Sequence, residues 1–124
     1  MPTVSFSDNQ KAAIVSLLIE MINADDVVEK SECAVFDEIC VEYCISEETF
    51  RLGRALDSLV AIDIMKQMAD VQKLVTARLL TRVIDADARD DDKEIQLLNI
   101  ICAATGVDAL INARSSRATS REEE

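Results

Sequence analysis

Hydrophobic residues recur every three to four positions in six stretches of the chain, separated by polar and acidic clusters, which is the signature of amphipathic helices. The first helix is expected to begin at Ser7 or Asp8: the Ser7 hydroxyl can accept from free N–H groups, and Asp8 suits the positive end of the dipole. Ile14, Leu17, Leu18, Met21 and Ile22 form its apolar stripe, and it should end around Ala24–Asp25. A second helix is predicted over Lys30–Cys44, with Phe36, Ile39, Cys40, Tyr43 and Cys44 inward and Asp37, Glu38 and Glu42 on the wet side. Ser46 caps a short third helix over 47–56, carrying Phe50 and Leu56, although Gly53 inside it disfavours helix. A fourth segment, 58–67, carries Leu59, Ile62 and Met65. Asp70 is expected to cap a fifth helix over 71–86, with Leu74, Val75, Leu79, Val83 and Ile84 inward. The sixth, 92–105, places Ile95, Leu98, Ile101 and Cys102 inward and ends at Gly106, a residue suited to a left-handed cap. Residues 108–112 add one short turn. Residues 113–124 have no apolar periodicity and read as a disordered polar tail, leaving 1–112 as the folded domain.

Composition supports an all-α, compact bundle of six to seven helices. The 124 residues make one domain, 49% of them hydrophobic. Only two Gly and one Pro are present, too few for the turns of a sandwich or barrel. The net charge of −11 opposes nucleic-acid binding and docking on an anionic membrane, since both need clustered Lys and Arg. The apolar stretches are too short to span a bilayer. Met1-Pro2-Thr3-Val4 lacks the basic and apolar regions of a signal peptide, so a cytoplasmic location is expected. With no His and no CxxC pair, Cys33, Cys40, Cys44 and Cys102 read as reduced thiols rather than zinc ligands. Cys40 and Cys44, one turn apart, are a weaker candidate pair for a soft metal.

The chain contains an internal repeat. With residues 17–46 placed over 79–108, Leu17, Leu18, Ile22, Ala24, Asp25, Glu32, Ile39 and Cys40 meet Leu79, Leu80, Ile84, Ala86, Asp87, Glu94, Ile101 and Cys102. Helical periodicity aligns apolar positions by chance but does not align an Ala-Asp pair and a following Glu. A pseudo-twofold bundle of two helix–acidic loop–helix halves is expected, with Cys40 and Cys102 in equivalent core positions.

The two connecting loops are rich in carboxylates. Asp25, Asp26, Glu29 and Glu32 make the first set; Asp85, Asp87, Asp90, Asp91, Asp92 and Glu94 make the second. Such groups repel by about 1 kcal/mol per pair at 4 Å even in water. A hard cation would relieve that repulsion, and oxygen-only donors favour Ca²⁺, Mg²⁺ or Mn²⁺ over Zn²⁺. Helix capping is the competing reading, because acidic residues in a first turn stabilise the helix. A first-turn position does not account for Asp25 and Asp87, which sit at the wrong end of the preceding helix; for them the structural reading is capping of the next helix across the loop. The spacing is not that of an EF-hand, since Asp87 to Glu94 lacks the Gly and the twelve-residue span.

Ala24-Asp25-x6-Glu32, repeated as Ala86-Asp87-x6-Glu94, resembles the TerB-like domain family over residues 8 to 112. The resemblance implies an all-helical, internally pseudo-symmetric bundle associated with tellurite resistance and stress responses. It also implies a metal site on Asp25, Glu32, Asp87 and Glu94; the loop carboxylates Asp26, Glu29, Asp90 and Asp91 are further candidate donors on the charge clustering alone. The chain departs from the family where Gly commonly follows the Asp; Asp26 and Ala88 stand there instead, which puts the shape of the second loop in doubt.

The expected function is therefore a non-catalytic cation-binding module. The alternative is a metal-free interaction domain that binds a protein partner through an apolar or acidic groove. No His, serine elbow or phosphate-binding Gly loop points to an enzyme.

Overall fold

In a computed structural model, which describes residues 4–24, 30–86 and 92–112, the chain folds as an all-helical bundle. The helices are α1 (Asp8–Ile22), α2 (Lys30–Glu42), α3 (Glu47–Ala55), α4 (Ser58–Lys66), α5 (Asp70–Ala86) and α6 (Asp92–Thr105). A short helix, α7, follows over 107–112. No helix among the described residues is long and apolar enough to cross a membrane. The tail expected over 113–124 lies outside the described residues.

The helix starts follow local chemistry. Ser7 and Gln10 make a capping box: Gln10 N–H donates to Ser7 Oγ (3.2 Å) and Ser7 N–H to Gln10 Oε1 (2.9 Å). Ser46 caps α3, and Asp57 caps α4 by accepting from Leu59 N–H at 2.8 Å. Asp70 is not the cap expected of it. It is the first helical residue of α5, and Gln72 Oε1 reaches back to Ala69 N–H at 2.9 Å.

The centre of the bundle is α1. It packs most extensively on α3 and α4, and also touches α5, α6 and α2. Residues 12 to 18 are buried without a break, so the helix is enclosed on all sides rather than along the single stripe expected. Gly53 explains the closeness of α3: a Cβ there would lie 2.6 Å from Val15 Cβ and 2.7 Å from the Ala12 carbonyl oxygen. The residue that weakened α3 as a helix is thus what lets it lie against α1. Ser16 Oγ donates to Leu56 O at 3.1 Å and pins the α3–α4 turn to the same helix. Arg82 of α5 bridges to Glu42 (2.7 Å) and Glu38 (3.6 Å) of α2.

Several residues expected inward face solvent. Leu59 is 74% exposed and Ile95 41%, because α4 and α6 are rotated to bury Ala61 and Met65, and Glu94, Ile101 and Cys102. Cys44 is exposed and lies past the end of α2. It takes φ +53°, with Ile45 N–H donating to Cys40 O (2.9 Å) and Cys44 N–H to Val41 O (3.2 Å), the Schellman arrangement. A residue with a Cβ is strained there. Cys44→Gly is expected to stabilise the fold by about 1 kcal/mol, read as a higher midpoint in urea unfolding with an unchanged slope.

A spacing of 62 recurs. Gln10 and Gln72 hydrogen-bond each other in both directions, at 3.4 and 3.1 Å, across 62 positions. The same step separates the starts of α1 and α5 and those of α2 and α6. It also separates the two residues of positive φ among the described residues, Cys44 and Gly106 (φ +86°).

Candidate functional site

Glu32 and Glu94 are the two sequence-expected site residues that the structure describes. Each lies in the first turn of its helix, α2 or α6, directly after an acidic loop, and each is 0% exposed. The helix phase puts them there. In α2 the buried stripe runs Glu32, Phe36, Ile39, and in α6 it runs Glu94, Ile101, Cys102, Thr105, with Leu98 packed against the core between. Once Phe36 and Ile39 are inward, a residue four positions before Phe36 must be inward too. Asp25, Asp26, Glu29, Asp87, Asp90 and Asp91 lie outside the described residues. Asp85, in the last turn of α5, and Asp92, at the start of α6, are both exposed.

Burying a carboxylate costs several kcal/mol in lost hydration before any compensation. A first-turn acid at the surface gains about 0.3–1 kcal/mol from the helix dipole without that cost. Exposed Asp92 already has this position in α6. The dipole alone therefore does not account for Glu94 being inside; in α2, Glu32 is the only acid of the first turn. Chemically, two buried carboxylates offer hard oxygen donors. Among the described residues alone, no three His, Cys, Asp or Glu side chains converge as a metal site.

The cysteines are all free. Cys102 is buried and Cys40 half-buried, while Cys33 and Cys44 are exposed. Burial pushes the Cys40 thiol above its usual 9.0, and the charge of Asp37 adds to this; burial and then Asp108 do the same for Cys102. Both stay protonated at neutral pH and are poor nucleophiles and metal ligands. Cys40 and Cys44 do not share the inward face expected of them, since Cys44 has left the helix.

One feature of the surface was not read from the sequence. A groove of about 520 Å³ lies between α1, α2 and α3. Its apolar walls are Ile19, Ile22, Phe36 and Phe50, with the two rings tilted at 5.8 Å. Asp37 of α2 and Arg54 of α3 line it as its charged residues. Asp37 also borders a shallow depression on the outer face of α2, lined by Ala34, Glu38, Val41 and Glu42. The available signal was Val41, an apolar residue among the charges of the wet side.

No family model and no curated protein matches the chain. Among solved structures the fold is similar to the crystal structure of a protein of unknown function from Porphyromonas gingivalis W83. The match has a TM-score of 0.72 and 21% identity, and covers 86% of this chain and 83% of that one. At that identity the likeness shows a shared fold.

Proposed function

We propose that the chain is a TerB-like, stress- and tellurite-resistance-associated module that binds a hard divalent cation and performs no catalysis. Glu32 and Glu94 hold the ion, together with Asp25 and Asp87 from the loops that precede them. The carrying observation is the complete burial of Glu32 and Glu94 at matching places in two helices. A carboxylate held out of water gains most from a cation, because attraction is least screened there. Oxygen donors alone select Ca²⁺, Mg²⁺ or Mn²⁺.

The recurring step of 62 supports a duplicated origin for the two halves. Reciprocal hydrogen bonds between Gln10 and Gln72 are what a local twofold axis between equivalent residues produces. Under that duplication Glu32 and Glu94 are one residue used twice, and so are Asp25 and Asp87. Four free thiols suit a reducing, cytoplasmic setting.

Isothermal titration of the EDTA-treated, dialysed protein with Ca²⁺, Mg²⁺ and Mn²⁺ tests the reading directly. Saturable binding is expected, and Asp25→Asn/Asp87→Asn should weaken it at least about tenfold, which is about 1.4 kcal/mol. Absence of heat with every ion, or unchanged affinity in the double variant, would refute the cation site.

A further inference from the structure

We propose that the groove between α1, α2 and α3, together with the outer face of α2, receives a basic amphipathic helix from a partner protein. This surface is separate from Glu32 and Glu94, which are inside. The groove has the volume and apolar lining of a pocket for large side chains. Phe36 and Phe50 form walls on which an apolar anchor can pack. The outer face of α2 continues the surface: Ala34 and Val41 lie seven positions apart, two helical turns on one face. Val41 is 78% exposed, the most exposed large hydrophobic residue among the described residues.

Charge decides the occupant. Asp37, Glu38 and Glu42 flank Ala34 and Val41. Glu38 and Glu42 stand at the C-terminal end of α2, where the helix dipole disfavours anions and no basic residue of α2 offsets them. Arg82 bridges these two, whereas Asp37 has no ion pair among the described residues. The face therefore keeps an acidic excess beside exposed apolar side chains, the complement of a helix with Leu-type anchors and flanking Lys or Arg. A second copy does not fit, because a chain of net charge −11 would bring the same acidic face against itself. Arg54, across the groove from α2, likewise has no ion pair among the described residues and sets the polarity of the bound helix.

The test uses the full chain in EDTA, so that its outcome is independent of any cation. The probe is a fluorescein-labelled peptide of roughly 18 residues, with Leu at helical spacing i, i+3, i+4, i+7 and Lys elsewhere. The comparison peptide has the same composition in scrambled order. Anisotropy titration should show the amphipathic peptide binding about tenfold or more tightly than the scrambled one, and amide shifts in the NMR spectrum should map to α2 and α3. Asp37→Lys should lower the affinity about tenfold. Val41→Asp should lower it as well, although it adds negative charge, which separates docking from general attraction. Both residues are exposed, and circular dichroism confirms that each variant folds. Equal binding of the two peptides, no binding, shifts mapped elsewhere, unaffected variants, or self-association through this face in sedimentation would each overturn the proposal.

Discussion

Saturating Ca²⁺, Mg²⁺ or Mn²⁺ is expected to raise the melting temperature of the EDTA-treated protein by roughly 10 °C, and to leave Glu32→Met/Glu94→Met unmoved. A ligand at 100 times its Kd stabilises the folded state by about 2.7 kcal/mol. For a domain of this size each kcal/mol is worth roughly 3–5 °C. Met preserves the length and packing of the Glu side chain while removing its charge. Each buried carboxylate has polar interactions within the fold, so removing it leaves its partners unsatisfied and costs stability with or without ions. In EDTA the double variant should thus melt below the parent, and the ion-dependent shift is the readout. The capping reading predicts no ion effect on the parent. A scan of both proteins with and without ions separates the two.

Gly53→Ala is expected to destabilise the fold by about 2 kcal/mol, and a larger residue by more. In an ordinary exposed helix the same change would help by roughly 0.5–1 kcal/mol. The sign reverses here because the new methyl would meet Val15 Cβ at 2.6 Å and the Ala12 carbonyl oxygen at 2.7 Å. The second contact is with backbone, which cannot rotate away. Trimming Val15 should therefore restore little of the loss. Urea unfolding of Gly53→Ala, alone and with Val15→Gly, gives both numbers. A neutral or stabilising Gly53→Ala would mean that α3 does not lie this close to α1.

The helices were legible because caps and apolar spacing mark them locally. Ser7, Ser46 and Gly106 act as expected, and the six predicted helices agree with α1 to α6 within about two residues at each end. Helix rotation was less legible. Ile95 and Leu59 look inward by hydrophobicity, but which face turns in is decided by neighbouring helices. That α1 is enclosed on every side depends on long-range packing and left no periodic trace. The site was half legible. The repeated Glu32 and Glu94 stood out as a pair, but their burial did not, since any pattern that counts Glu as polar puts it outside. The groove at Phe36 and Phe50 went unread because apolar spacing marks the inward face of each helix but not the angle at which successive helices meet.

The enclosure of α1 also bears on how the protein is made. Helix α1 is synthesised before every helix it packs against, and those partners are spread from α2 to α6. Until those arrive, Ala12 to Leu18 have little to bury themselves against. A nascent chain stalled before α3 would present α1 as an uncovered apolar rod, because its two most extensive partners, α3 and α4, would still be missing. Burial of α1 therefore follows the synthesis of α3 and α4 and is completed by α5 and α6.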